Sequence, residues 1–284
     1  MSPQILQISS INNFKILALT NDNQLFISTD SCRTWSLFTS KVVRKFCVDK
    51  MGNIFILTNK VEMSSDQGAT WHSWPNGLPT SFTPNSFCAG DNGNLFYSTY
   101  EDGLLISTNF GESWASTSLK YDSPELVIEL NQYLVALIRY GALFLSLDDG
   151  VTWKIVKRSI GTRGVISLIA DSSEKLYISC SSSISDSLTI KLSKDFGETW
   201  LGIASIPDAN LIFSLDSNVV FVSGNRSDII WKLWKESSGW KKVLYNEGLP
   251  EKLILNGLLG SDRKLYLLLE NGEIYRTLSP LNKN

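Results

Sequence analysis

Short apolar runs separated by turn residues make up most of this chain, and residues 42–74 show how they are arranged. VVRKFCVD at 42–49 is apolar and β-branched and predicts a first strand, A, while IFILT at 54–58 predicts a second, B. VEMSSD at 61–66 indicates a third strand, C, and the alternating TWHSW at 70–74 indicates a fourth, D. The pattern therefore predicts a unit of four short strands joined by tight turns.

The same order of strands can be followed through the whole sequence. Candidate B strands begin near Ile16, Ile54, Leu95, Leu134, Leu176, Val219 and Leu265. Candidate C strands centre on Phe26, Met63, Leu105, Phe144, Ile190, Trp231 and Ile274. Six D strands follow them, because the sequence reaches SPLNKN soon after the last C strand. Since no segment shows helical periodicity and no linker divides the chain, we expect an all-β fold formed by one domain, residues 1–284.

An octapeptide of the form Ser-x-Asp-x-Gly-x-Thr-Trp recurs between the C and D strands. Its copies are STDSCRTW at 28–35, SSDQGATW at 64–71, STNFGESW at 107–114, SLDDGVTW at 146–153 and SKDFGETW at 193–200, followed by a degenerate LWKESSGW at 233–240. Successive terminal tryptophans are 36, 43, 39, 47 and 40 residues apart. This spacing is about that of one four-stranded propeller blade. The sequence therefore predicts a seven-bladed β-propeller whose last blade has three strands, with six blades as the alternative.

Each residue type in the octapeptide has a structural use in a hairpin loop. The Asp can accept hydrogen bonds from N–H groups of its own loop, and the Gly can adopt a positive φ. The Trp supplies a large apolar surface for packing. We expect Trp231 and Trp234, which lie outside the regular position, to pack where the sixth copy has decayed.

The octapeptide resembles the Asp-box, or BNR repeat, of sialidase-like β-propellers. Members of this group include sialidases, xyloglucanase-type hydrolases, sortilin-type receptors and Ycf48-like photosystem II assembly factors, and we place the chain nearest the Ycf48-like or sortilin-like branch. The resemblance implies that the box is a folding device opposite the functional face. It assigns structural rather than catalytic roles to Asp30, Asp66, Asn109, Asp148 and Asp195. PNGLP at 75–79 and NEGLP at 246–250 resemble the family's connection from strand D to the next strand A.

Composition and charge narrow the classes of partner. The chain is 43% hydrophobic with a formal net charge of −2 and has no basic run, which argues against nucleic acid. One histidine, His72, and four scattered cysteines without CxxC spacing give no metal site, so we expect neither metal nor cofactor. We expect the cysteines to be small, buried apolar residues and His72 to be exposed. No apolar run is long enough to span a membrane, and the N-terminus does not read as a signal peptide. We expect a monomer, with the cytoplasm as the default location.

Catalysis is less well supported than binding. The Phe-Arg-Ile-Pro signature of sialidases is absent, and the eight arginines show no pattern that marks a carboxylate-binding triad. Hydrolysis of a glycan by two carboxylates stays open, because such a pair need not be adjacent in sequence. Its candidates are Glu62, Glu101, Asp102, Asp228 and Glu247, which fall in or near the loops away from the boxes.

Basic and aromatic residues are interspersed in those same loops. The candidates for a ligand face are Arg44, Tyr100, Arg139, Tyr140, Arg163 and Arg226. A mixed basic and aromatic rim suits a peptide, an acidic protein segment or a glycan. The leading hypothesis is therefore a non-enzymatic propeller that binds or assembles a protein or peptide, with a glycan-binding or glycoside-hydrolysing propeller as the alternative.

Overall fold

A computed structural model describes 27 β-strands and no helix among its described residues. These residues are 5–12, 15–74, 84–130, 133–138, 141–160, 165–171, 173–181, 187–207, 209–216, 218–224, 230–245, 254–259, 264–269 and 273–277. No helix capable of crossing a membrane is present in this part of the chain. The chain divides into two compact units, Met1–Ile138 with Phe144–Lys154, and Arg139–Leu143 with Ile155–Asn284.

The first three sheets have four strands each and lie in the first unit. They contain β1 (Ile5–Asn12), β2 (Lys15–Thr20), β3 (Leu25–Ser28) and β4 (Ser36–Thr39); β5 (Lys45–Val48), β6 (Ile54–Leu57), β7 (Val61–Ser64) and β8 (His72–Ser73); and β9 (Ser86–Ala89), β10 (Leu95–Thr99), β11 (Gly103–Ser107) and β12 (Ala115–Ser116). The fourth sheet contains β13 (Pro124–Leu130), β14 (Tyr133–Ile138), β15 (Ala142–Ser146) and β16 (Lys154–Lys157). The division between the units falls within this fourth sheet.

The second unit contains the remaining three sheets. They are β17 (Val165–Ala170), β18 (Leu176–Ser181), β19 (Ser187–Ser193) and β20 (Leu201–Pro207); β21 (Ala209–Asp216), β22 (Val219–Gly224), β23 (Ile230–Glu236) and β24 (Gly239–Leu244); and β25 (Ile254–Leu259), β26 (Leu265–Leu269) and β27 (Ile274–Arg276). Among the described residues, the seventh sheet thus has three strands. Residues 278–284, which follow it, lie outside the described part of the chain.

Each sheet is formed by consecutive strands in chain order. The pairing is antiparallel, as in the second sheet, where Phe46 faces Ile56 and Met63 faces His72. Among the described residues, the first sheet contains four strands, β1 to β4, all of which lie within residues 5–39.

The predicted B strands begin within one residue of the observed second strands, and every predicted C position lies in an observed third strand. All four strands predicted within residues 42–74 are longer than the observed ones, and the first and fourth are the most shortened. The first strand of the second sheet begins at Lys45 rather than Val42, because Val43 and Arg44 donate their N–H groups to Asn23 and Leu57 in a connection. The predicted strand at 70–74 is reduced to His72–Ser73.

Apolar side chains fill the space between successive sheets within each unit. All residues of β6 and β10 are buried, as are those of β26. Burial of both faces of a strand is expected when a sheet has neighbours on its two sides. In the first unit, Leu17 and Ile54 belong to one cluster between the first two sheets, and in the second unit Tyr177 and Val220 belong to another between the fifth and sixth.

The first strands of successive sheets lie beside one another in each unit. In the first unit the sequence of contacts runs from β1 to β5, β9 and β13, and in the second it runs from β17 to β21 and β25. Sheets that stack face to face with their first strands adjacent have the arrangement of neighbouring propeller blades.

Candidate functional site

The antiparallel order gives each sheet two distinct ends. Turns between the first and second strands share one end with the turns between the third and fourth, where the octapeptides lie; we call this the octapeptide end. Turns between the second and third strands share the other end with the connections to the next sheet; we call this the loop end. Of the ligand-face candidates, Arg44 and Tyr100 lie in described loop-end segments, so the length of a strand separates them from the octapeptides of their own sheets.

The octapeptide loops are closed by a repeated set of hydrogen bonds. In the second copy, Ser64 donates to Asp66 Oδ1 at 2.8 Å, while Thr70 donates its N–H to Oδ1 at 2.9 Å and its hydroxyl to Oδ2 at 2.6 Å. Ser64 Oγ also accepts from the N–H of Gly68 at 2.7 Å. The bonds from Thr70 hold the pKa of Asp66 at about 2, because they favour the ionised carboxylate. The loops of Asp30, Asp148 and Asp195 have the same pattern. In the third copy, Asn109 accepts from the Ser113 N–H through Oδ1, but its amide nitrogen donates to the Ser113 hydroxyl.

In the second to fifth copies, the fifth position of the loop is a glycine that packs tightly against the preceding sheet. Gly68 has a φ of 92°, and a Cβ added there would lie 2.3 Å from a ring atom of Phe38. Equivalent additions at Gly111 and Gly150 would lie 2.7 Å from Val61 and 2.3 Å from Phe96. Glycine is therefore needed at these positions both for its positive φ and for its lack of a side chain.

The degenerate sixth copy does not form this loop. Lys235 stands where the other copies have Asp or Asn, and a two-residue turn at 237–238 connects β23 directly to β24. Trp231 and Trp234 are half-buried and pack against opposite core clusters of the sixth sheet, as expected for packing residues. Trp240 makes an edge-to-face contact with Tyr177, with ring centroids 6.3 Å apart.

A pocket of about 350 Å³ lies at the loop end of the first two sheets. It is formed by the connection between β4 and β5, the turn after β6 and the start of β7. Its lining residues are Lys41, Val42, Arg44, Thr58, Asn59 and Glu62. Of the predicted ligand-face residues, Arg44 lies here, and its side chain is exposed.

Glu62 is the carboxylate residue that lines this pocket in the described part of the chain, and each of its two carboxylate oxygens has a partner. It is 3% exposed. Thr58 donates its hydroxyl to Oε1 at 3.0 Å, and Lys41 forms an ion pair with Oε2 at 2.5 Å. A buried carboxylate needs such partners, because desolvation without them would be costly. The pocket lining has two positively charged side chains, Lys41 and Arg44, and one negatively charged side chain, Glu62, so its net charge is +1.

The third sheet carries aromatic residues at the same end. Tyr100, one of the predicted residues, is 67% exposed in the turn after β10. Sequence analysis missed Tyr121, which is 90% exposed in the connection after β12, with the Lys120 ammonium 5.6 Å from its ring centroid. Leu119 and Lys120 approach the loop-end residue Gly103 closely, which brings this connection against the turn that carries Tyr100. Tyr121 could have been identified from the sequence KYDSP at 120–124, which places a basic residue beside an aromatic residue in a turn.

A buried tyrosine lies near both groups of loop-end residues. Burial raises the pKa of Tyr97 to about 12, while the nearby charge of Arg44 lowers it and that of Asp102 raises it. The charge of Arg44 therefore acts on Tyr97 of the third sheet as well as on the pocket that Arg44 lines. Glu101, a candidate carboxylate, is exposed in the turn beside Tyr100.

Several predicted residues lie outside the described part of the chain. They are Arg139, Tyr140, Arg163, Arg226, Asp228 and Glu247, together with the PNGLP and NEGLP segments. His72 is exposed and contacts Trp74 edge-on, with ring centroids 5.8 Å apart. Cys47 and Cys180 are buried, whereas Cys32 and Cys88 are only partly buried, and all four are free thiols. Among the described residues, no group of three His, Cys, Asp or Glu side chains is placed to hold a metal.

Comparisons with known proteins identify the fold. No protein-family model matches the sequence, and no curated protein matches it either. A solved structure of YCF48 bound to D1 peptide is 15% identical, with a TM-score of 0.72 over 99% of this chain and 93% of that one. A streptogramin B lyase is 14% identical, with a TM-score of 0.71 over 96% and 92%. The GH74 xyloglucanase from Xanthomonas campestris is 12% identical, with a TM-score of 0.71 over 96% of this chain and 51% of the enzyme.

These similarities and the stacked antiparallel sheets place the chain in the class of β-propeller proteins. Within that class, it is similar in fold both to YCF48 and to enzymes.

Proposed function

We propose that this chain is a non-enzymatic binding or assembly propeller that recognises a protein or peptide through its loop end. The observation that carries the proposal is the pocket at the first two sheets, where Lys41 and Arg44 surround a carboxylate, Glu62, that is already paired. An additional anionic group entering the pocket would meet net positive charge. A carboxylate at a peptide's end or on an acidic side chain fits this charge, and a guanidinium can bind it through two hydrogen bonds.

Exposed aromatic residues extend the proposed surface beyond the pocket. Tyr100 and Tyr121 offer large ring faces next to polar groups, a composition common where proteins bind peptides. The solved structure of YCF48 with D1 peptide supports this proposal, because a propeller of similar fold binds a peptide. We include Arg139, Tyr140, Arg163 and Arg226 in the proposed face on the basis of the sequence alone.

The octapeptide acids belong to the scaffold in this proposal. Their side-chain oxygens close their own loops at the octapeptide end of each sheet; the residues are Asp30, Asp66, Asn109, Asp148 and Asp195. The further proposal is a seven-bladed, Asp-box propeller that forms one domain and acts as a monomer without a cofactor. Seven sheets of consecutive strands support it.

Peptide binding can be measured with a pool of fluorescent eight-residue peptides that have free carboxyl termini and acidic side chains. We expect Arg44→Ala to weaken binding about tenfold, because a charge-assisted pair is lost. Arg33→Ala is the matched control, since Arg33 is an exposed arginine in the octapeptide loop of the first sheet. Equal affinities of the two variants would exclude the pocket as the site.

The second candidate is glycan recognition, favoured by the fold similarity to the GH74 xyloglucanase and by the exposed Tyr100 and Tyr121. Xyloglucan oligosaccharides are the probe. Binding lost in Tyr121→Ala and retained in Arg44→Ala would support the glycan candidate over the peptide. If the protein released reducing ends from these oligosaccharides and Glu62→Gln did not, the protein would be a hydrolase instead of a binding protein.

A further inference from the structure

The outer strand of the sixth sheet differs from the outer strand of the fifth sheet in the same unit. Among the described residues, no strand pairs with the outer side of β24. Its last four residues are exposed, including Val243 at 45% and Leu244 at 51%. The outer strand of the fifth sheet, β20, has a register shift and ends at Pro207, two features that interrupt an edge. By contrast, β24 pairs with β23 through six successive residues without a shift.

The register shows which backbone groups point outwards. Tyr245 donates its N–H to Ile230 at 2.7 Å, and this pair is in the same register as the β23–β24 ladder. Hydrogen-bonded pairs alternate with non-hydrogen-bonded pairs along an antiparallel ladder. The N–H and C=O groups of Val243 and Lys241 therefore face β23, whereas those of Leu244, Lys242 and Trp240 face away from the sheet.

The charge around this edge is strongly positive. Residues 230–244 contain four lysines and one glutamate, a net charge of +3 on a chain whose formal net charge is −2. Lys241 and Lys242 lie on the edge strand itself and are exposed. The Lys242 ammonium lies 5.2 Å from the centroid of Trp231 and donates to the Ser205 carbonyl at 2.9 Å, so its charge is held at the side of the sheet.

This charge argues against a second copy of the chain as the occupant. Two copies of β24 paired antiparallel would bring Lys241 and Lys242 close to the same residues of the other copy, and like charges facing one another destabilise a ladder. Lysine on an edge strand is a common protection against such self-pairing. An acidic strand would instead be attracted.

We propose that β24 is a docking edge for an extended segment of a partner protein, which adds as an antiparallel strand and carries two apolar residues followed by two acidic ones. In that direction the partner's apolar pair lies beside Leu244 and Val243, and its acidic pair lies beside Lys242 and Lys241. Backbone hydrogen bonds provide affinity in such strand addition, and side chains provide the specificity. This edge shares no residue with the loop-end pocket, so the proposal does not depend on the proposed function.

The blocked, fluorescein-labelled peptide TSVVEEST tests the direction and the charge. We expect it to bind by fluorescence anisotropy, and we expect TSEEVVST, of identical composition, to bind about tenfold more weakly because its acidic pair meets the apolar residues. Equal affinities would overturn the antiparallel register. Lys241→Glu should weaken the binding of TSVVEEST, and the peptide TSVVEKST should restore binding to that variant. Lys194→Glu, in the octapeptide loop of the fifth sheet, is the control for net charge.

N-methylation of the peptide tests the backbone pairing directly. In the proposed register, the first valine and the first glutamate direct their N–H groups towards β24, and the second valine and second glutamate direct theirs away. Methylation of the first pair should abolish binding, and methylation of the second pair should preserve it. Equal effects would overturn strand addition. If Arg44→Ala loses binding and Lys241→Glu does not, the peptide binds in the loop-end pocket. If the protein is a dimer at the assay concentration and the peptide dissociates it, a second copy of the chain is the occupant of the edge.

Discussion

Asp148 accepts two hydrogen bonds from Thr152, the N–H to Oδ1 at 2.8 Å and the hydroxyl to Oδ2 at 2.5 Å. Ser146 donates a third to Oδ1 at 2.8 Å. One carboxylate therefore fixes both the beginning and the end of the loop between β15 and β16. Asp148 is exposed, and its slight desolvation acts to raise its pKa, but the bonds from Thr152 and Ser146 outweigh this effect, so the pKa is lowered.

Removal of this carboxylate should weaken the fold rather than binding. We expect Asp148→Ala to lower the free energy of unfolding by about 1–3 kcal/mol, because several loop donors lose their acceptor. Asp148→Asn should cost less, since Asn109 in the third sheet keeps a bond from the Ser113 N–H and donates to its hydroxyl. Urea unfolding measures both. A fully stable Asp148→Ala that no longer binds peptide would assign Asp148 to the binding site instead.

The strand pattern and the octapeptide were sufficient to predict most of the fold, because both are local signals. The second strands could be located closely since their apolar runs are buried on both faces, as at Leu95–Thr99. The loop around the sixth Trp could not be predicted, because replacement of the acid by Lys235 removes the acceptor that closes it. Of the candidate site, Arg44 and Tyr100 were identified from residue type and loop position. Lys41 was missed because its contact with Glu62 joins residues 21 apart in the chain.

The first octapeptide contains a conformational cost that the other four avoid. Cys32 stands where they have glycine, and its φ is 66°. A non-glycine residue at positive φ is strained, although glycine also increases the entropy of the unfolded chain. We expect Cys32→Gly to raise the free energy of unfolding by about 0.5 kcal/mol as the balance of these terms. Thermal melting should show the increase, and Gly150→Ala, which adds a Cβ 2.3 Å from Phe96, should show a clear decrease. A lower melting temperature for Cys32→Gly would mean that the thiol's contacts outweigh the strain.

Two octapeptide tryptophans differ in one hydrogen bond. Trp153 donates its indole N–H to the Gly150 carbonyl at 2.8 Å, whereas the buried indole N–H of Trp114 has no partner among the described residues. Substitution by Phe removes the donor while retaining an aromatic ring. We expect Trp153→Phe to be more destabilising than Trp114→Phe by about 1 kcal/mol in urea unfolding, because only the former loses a bond. Equal losses would show that ring volume alone determines the cost.

Glu129 is a half-buried carboxylate at the octapeptide end of the first unit. Its Oε2 accepts a hydrogen bond from the N–H of Asp91, which itself pairs with Lys50. Burial raises the pKa of Glu129 from 4.5 to about 7; the Lys50 charge lowers it, and the Asp149 charge raises it. The folded protein therefore binds a proton more tightly at Glu129 than the unfolded chain does.

This proton affinity predicts that the contribution of Glu129 to stability is greatest below pH 4.5 and is lost as the pH rises through about 7. Glu129→Gln stays neutral and can still accept from Asp91, so we expect it to be more stable than the parent at pH 8. The expected increase in the free energy of unfolding is about 1–2 kcal/mol, after the effect of the pKa shift is reduced for solvent screening of a half-exposed group. Urea unfolding at intervals from pH 5 to pH 8 should show the gain shrinking towards pH 5. Glu112→Gln, which changes an exposed glutamate in the third octapeptide, removes the same charge and should show no such trend. A gain for Glu129→Gln that is independent of pH would mean that packing, rather than titration of the carboxylate, is responsible.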